Sequence, residues 1–95
     1  MRNIAVISKN YSLFAAHVTE FYDNLIGERS YRRTSNGVEI TNEEEVFSFQ
    51  CVMDARSLDG HRYDEIQKTA YWHELKDFMR LLELAEQFYL KPESQ

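Results

Sequence analysis

Four apolar residues in unbroken succession, Ile4-Ala5-Val6-Ile7, set the strongest constraint on this chain. Successive side chains of a strand point to opposite faces, so a run with no polar member must be covered on both sides. A sheet with a layer packed on each face meets that need. The run ends at Ser8-Lys9-Asn10, and from there to Gly27 the period becomes helical. Phe14, Val18, Phe21 and Leu25, with Tyr22 and Ile26 beside them, fall on one stripe, while Thr19, Glu20, Asp23 and Asn24 fall off it. Asn10 or Ser12 can accept the free amides of the first turn, and Gly27 can take the left-handed position after the last.

Two short alternating runs then flank Asn36-Gly37, within Tyr31 to Thr41. An Asn-Gly pair suits a type I′ hairpin, because both central residues need positive φ. That loop predicts Ser35 opposite Val38, Arg33 opposite Ile40 and Tyr31 opposite Asn42 on one face, with Arg32, Thr34, Glu39 and Thr41 on the other. After Glu43-Glu44-Glu45, which reads as a solvated turn, Val46 to Met53 is a strand. Phe47, Phe49, Cys51 and Met53 share one of its faces, and Val46, Ser48, Gln50 and Val52 the other. Asp54 to Gly60 is polar loop, and Tyr63 to Lys68 has the length of a further short strand.

From Thr69 or Tyr71 to Tyr89 the pattern is helical again. Trp72, Leu75, Phe78, Met79, Leu82, Ala85 and Tyr89 share one face, opposite His73, Lys76, Arg80, Glu83 and Gln87. Leu81, Leu84 and Phe88 widen the apolar arc beyond that face. They are either buried by the first helix or the hairpin, or they form an interface. Residues 91–95 read as a loose tail. The fold expected is therefore α/β: one small domain over residues 1–95, ordered strand, helix, hairpin, strand, short strand, helix, with helices packed on a mixed sheet.

Composition narrows the function. With 43% hydrophobic residues the chain can fold, and three glycines and one proline leave little material for long loops. Cys51 is the one cysteine, so neither an intrachain disulfide nor a multi-cysteine zinc site is available. A reducing cytoplasm is the expected compartment, and neither a signal segment nor a membrane span is readable. The formal charge of −5 weighs against general nucleic-acid affinity without excluding a local basic face.

The order of these features resembles part of the P-loop ATPase core of phage large terminases and related helicases. Ile4 to Leu25 is similar to the strand and helix that follow the nucleotide-binding helix there. Asn36-Gly37-Val38-Glu39-Ile40, Phe47 to Met53, and Leu58-Asp59-Gly60-His61-Arg62-Tyr63-Asp64 stand where those proteins have an antiparallel pair, a further strand and a turn entering the Walker B strand. The chain departs from that pattern in two places. It has no Gly-x4-Gly-Lys-Ser/Thr loop to cradle phosphates, and Lys68 and Thr69 occupy the stretch where magnesium-holding acids belong. The resemblance thus implies a non-hydrolysing fragment, of the kind a small viral or mobile-element accessory protein would carry.

No catalytic constellation is readable. There is no Gly-x-Ser-x-Gly elbow, and His73-Glu74 lacks the second histidine of a metalloprotease helix, since position 77 is Asp. Asp59, His61 and Asp64 do not have a diagnostic metal spacing, so neither metal nor cofactor is expected. Cys51, in an aromatic row, reads as a small buried hydrophobe. Two non-enzymatic functions remain. One is a protein-interaction module, a homo-oligomer or partner binder, with Leu81, Leu84 and Phe88 as its interface. The other is a binder of nucleic acid or a phosphate ligand, using Arg32 and Arg33 of the hairpin with Arg56, His61 and Arg62 of the loop.

Overall fold

The computed structural model describes residues 1–69 and 75–92. Five strands form one mixed sheet in the order β2-β3-β4-β1-β5. β1 (Arg2–Ile7) runs parallel to both of its neighbours, β4 (Val46–Val52) and β5 (Glu65–Lys68). β3 (Gly37–Asn42) is antiparallel to β4, and β2 (Arg29–Arg33) is antiparallel to β3 at the edge. Two helices complete the chain, α1 (Tyr11–Asn24) and α2 (Leu75–Phe88). The expected α/β architecture is the one observed.

The Ile4 to Ile7 run is covered on both faces, as its composition requires. Ile4 and Val6 join Phe49, Cys51, Val38 and Ile40 beneath Phe14 and Val18 of α1. Phe21 sits edge-on to Phe47 and Phe49, each at 4.9 Å between ring centroids. Ala5 and Ile7 face the other way and pack with Val52, Leu58, Tyr63, Leu81 and Ala85. Burying each of the large side chains here contributes roughly 1.5–3 kcal/mol, and that sum holds the two helices to the sheet.

Asn10 caps α1, its side chain accepting from the Leu13 amide at 2.9 Å. The helix stops sooner than its apolar stripe suggests. Leu25 is already extended and closes the last turn with a bond to the Tyr22 carbonyl, so Gly27 lies beyond the cap and Ile26 is 95% exposed.

The hairpin departs from expectation by two residues. Arg33 pairs with Val38 and Tyr31 with Ile40, which puts Ser35-Asn36 at the tip. The Thr34 amide donates to the Gly37 carbonyl, and no non-glycine residue among those described has positive φ. Gly37 is spent on a different need: a β-carbon there would stand 1.8 Å from the Phe49 carbonyl oxygen on β4. A shift of two preserves side-chain parity, so the faces assigned from sequence hold although the partners do not.

Two further departures concern the last third of the chain. The polar stretch after β4 contains a short 3₁₀ turn (Ala55–Leu58), capped by Asp54 and burying Leu58 completely. On α2 the core face centres on Leu81 and Ala85, with Leu82, Leu84 and Tyr89 flanking it, whereas Met79 is 46% exposed. Leu81 is thus packed inside by the 3₁₀ turn and the end of β4 rather than by α1 or the hairpin. Trp72 and His73 fall outside the described residues, as do the side chains of Leu75, Lys76 and Phe78. Lys91 is held rather than loose. Its amide donates to the Tyr63 carbonyl at 2.7 Å, and its ammonium pairs with Asp64 at 3.3 Å.

Candidate functional site

The face of the sheet under α2 is only partly covered. Toward the strand ends it carries Ile7, Ala5 and Val52 beneath the helix, but the same face of the preceding residues carries Ser48, Gln50 and Asn3. On these strands one face therefore changes from apolar to polar within two or three residues. Over the polar part lies a hollow of about 340 Å³. Thr34 and Asn36 of the hairpin tip form one wall, and Gly60, His61, Arg62 and Tyr63 form the other. Two segments that sequence reading joined in one candidate ligand site, the hairpin and the loop after β4, thus border one concave surface; of that site's five candidate residues only His61 and Arg62 line it.

Its wall is fixed by a chain of hydrogen bonds. The Tyr63 hydroxyl donates to Gln50 Oε1 at 2.8 Å, and Gln50 Nε2 donates to the Ser57 carbonyl at 2.7 Å. The Tyr63 amide donates to the Tyr89 carbonyl at 2.8 Å. Burial pushes the Tyr63 phenol up to about 12, so it remains a donor throughout the working pH range. His61 stacks on Tyr63 with centroids 5.8 Å apart and planes 23° apart. Arg62 lies over the Tyr89 ring at 5.5 Å and donates to the His61 carbonyl at 2.9 Å. Gly60 turns the loop with φ of 78°, a conformation that side chains strain.

Among the described residues no acidic side chain lines this hollow. The nearest carboxylates in sequence and on the sheet are engaged: Asp64 by the Asn3 amide and Lys91, Glu39 by Arg32 at 3.0 Å. The Asn3 amide holds the Asp64 carboxyl below its ordinary range, with Lys91 adding to it. What faces the hollow is a guanidinium, an imidazole, amides and hydroxyls. Such a lining can donate several hydrogen bonds to an anion.

The remaining candidates lie elsewhere. Arg32 is in an ion pair outside the hollow, Arg33 is on the opposite face of the sheet over the Tyr11 ring at 5.6 Å, and Arg56 is exposed on the 3₁₀ turn. Of the apolar trio, Leu81 is a core residue, Leu84 is half-buried, and Phe88 is 58% exposed. Leu84 and Leu81 border a second hollow of about 320 Å³ together with Met53, Asp54, Ala55 and Arg80. Cys51 is buried, which raises its thiol pKa. His17 bonds Gln67 at 2.8 Å, and Gln67 in turn bonds Glu65. Among the described residues no three His, Cys, Asp or Glu side chains group as metal ligands do, and no helix is long and apolar enough to cross a membrane.

Sequence reading missed Asn3, Asn36, Ser48 and Gln50 as site residues. The signal was present in the polar positions of two otherwise apolar strands, but only the register of β1 against β4 shows that Asn3 and Ser48 stand side by side. No family model, curated protein or solved structure matches this chain.

Proposed function

We propose that this chain is a binding module for a small phosphate-bearing ligand, held in the hollow between the hairpin tip and the loop at residues 60–63. The observation that carries the reading is the convergence of these two segments on a concave surface lined by donors and, among the described residues, by no carboxylate. Its volume suits a ligand of mononucleotide size. Arg62 supplies the charge, with its guanidinium already stacked on Tyr89, and the Asn3, Thr34, Asn36 and Ser48 side chains supply neutral donors. His61, backed by Tyr63, offers a flat surface to a ring.

The test is an NMR titration with inorganic phosphate and with adenosine monophosphate. Amide shifts are expected at residues 34–36, 48–50 and 60–63. Arg62→Ala should weaken binding about tenfold, the usual loss for a charge-assisted hydrogen bond, and Ser48→Asp should weaken it further. Absence of shifts with millimolar ligand, or shifts that both variants leave intact, overturns the reading.

A second reading, protein interaction, is favoured by a separate observation. Met53 and Phe88 are large exposed apolar side chains, and the hollow bordered by Met53, Leu81 and Leu84 lies beside α2. Light scattering should then find an assembly that Phe88→Glu dissociates. A chain that stays monomeric at high concentration removes the homo-oligomer.

A further inference from the structure

The opposite face of the sheet carries a second arrangement that the hollow does not use. Arg29, Tyr31 and Arg33 alternate along edge strand β2 and point to the side covered by α1, since their partners Ile40 and Val38 belong to the core beneath that helix. Tyr22 and Tyr11 of α1 stand against them. The Arg29 guanidinium lies over the Tyr22 ring at 4.5 Å, the Arg33 guanidinium over Tyr11 at 5.6 Å, and Tyr31 meets Tyr22 edge-on at 6.2 Å.

The spacing explains how two elements build one row. Eleven residues of helix bring Tyr22 back to nearly the same side as Tyr11, roughly 16 Å along the axis. Arg29 and Arg33 are separated by roughly 13 Å of strand. Helix and strand run in opposite directions, so the row reads Tyr11, Arg33, Tyr31, Tyr22, Arg29.

These arginines differ from Arg2 and Arg32 and resemble Arg62, which also lies over a tyrosine ring. Arg2 and Arg32 each have a carboxylate at hydrogen-bond distance, whereas Arg29 and Arg33 lie over aromatic rings and form no ion pair among the described residues; Arg29 also donates to the Gly27 carbonyl at 3.2 Å and lines a shallow hollow with Glu28 and Glu43. Arg29 Nε is buried without a hydrogen-bond partner. Tyr31 is 49% exposed and Tyr11 39%. The two guanidinium groups are therefore pre-positioned beside partly open π surface and outside any ion pair among the described residues.

We infer that this ledge binds single-stranded nucleic acid without sequence preference. The two guanidinium groups, roughly 13 Å apart along the strand, take phosphates two nucleotides apart, and Tyr31 and Tyr11 stack unpaired bases. Stacking is indifferent to base identity because every base presents a π face. A duplex keeps its bases stacked and meets the chain's overall charge of −5, so it is the poorer ligand. An acidic peptide would satisfy the arginines but leave the tyrosines unused.

The experiment is fluorescence anisotropy with a labelled oligothymidine of ten to twelve nucleotides, at several salt concentrations. Binding should weaken with salt at a log–log slope of about −1.4, the value for two phosphates on a single strand. Tyr31→Ala should lower affinity about tenfold, and Arg33→Glu by more. Both side chains are exposed, and unchanged circular dichroism confirms that the variants remain folded. The duplex of the same sequence should bind at least tenfold more weakly. Arg62→Ala and Ser48→Asp should leave oligonucleotide binding unaltered, which separates this site from the hollow. No binding at low salt overturns the inference. So does binding insensitive to Tyr31→Ala, displacement by polyglutamate as readily as by oligothymidine, or equal sensitivity to the hollow variants.

Discussion

The two faces of the sheet are finished differently. Beneath α1, apolar side chains run from β3 through β4 to β1, and three phenylalanines interlock over them. Beneath α2, apolar contact lies toward the C-terminal ends of β1 and β4 and at Ile66 of β5, and among the described residues the rest of that face is polar. The open part is fastened by charge and hydrogen bonds: Asp64 with Lys91, Arg32 with Glu39, and Gln50 with Tyr63. Arg2 and Glu65 form a further ion pair at the sheet edge on the α1 side, in line with Ile4 and Val6. One face thus supplies stability, while the other gives up burial and gains a surface able to exchange water for a ligand.

Substitutions can break or sharpen this contrast. The largest effect belongs to Phe49→Ala, which empties the α1 face at its centre and should cost about 3–5 kcal/mol in chemical denaturation. A loss under 1 kcal/mol would mean that the α1 face is not the stabilising one. Gly37→Ala forces a methyl group onto the Phe49 carbonyl oxygen and should cost about 1–3 kcal/mol, read from the same experiment.

Acid probes the charged fastenings of both faces, Glu65 on the α1 side and Asp64 beside the open one. Glu65 titrates below its ordinary value because of the hydrogen bond from Gln67 and, next, that from Arg2, and Asp64 is lowered chiefly by the Asn3 amide. Carboxyls depressed in the folded state stabilise it above their unfolded pKa, about 4. That contribution disappears as pH falls through the lower folded values. The melting temperature should therefore hold from pH 7 to about 5 and decline below about 4, with a shallower decline in the double variant Asp64→Asn, Glu65→Gln. An equally steep decline in that variant would assign acid sensitivity to other groups. Smallest of all, Ser48→Val on the open floor should change stability by less than about 0.5 kcal/mol while weakening phosphate binding. A large stability change would show that the polar floor is structural.

Most of the architecture was legible because it follows from periodicity. The unbroken Ile4 to Ile7 run requires two covered faces, and the stripes of α1 and β4 indicate which of their residues go inside. The errors arose where a tertiary contact outweighed a local signal. Asn36-Gly37 looks like a turn, but Gly37 is needed for the close approach of β3 to β4, and the tip moves to Ser35-Asn36. Leu58 lies in a stretch that reads as polar, yet the 3₁₀ turn directs it into the core. For the candidate site, sequence supplied His61 and Arg62 from the loop. It could not place them beside Asn3, Ser48 and Asn36, because that proximity depends on strand order. Strand parity put Arg32 and Arg33 on opposite faces, yet sequence reading counted both toward one site; the structure sets one against a carboxylate and the other against a tyrosine.

The bonds from Tyr63 to residues 89–91 bear on how the molecule assembles. The wall formed by residues 60–63 is braced on its outer side by backbone that the ribosome makes nearly thirty residues later, from the Tyr89 carbonyl and the Lys91 amide. Closing so long a loop carries an entropic cost that must be met before those bonds form. The α1 layer and the four strands it covers or borders need no residue beyond Val52. The hydrophobic half can therefore organise early in synthesis, and the rim of the hollow is among the last parts of the molecule to set.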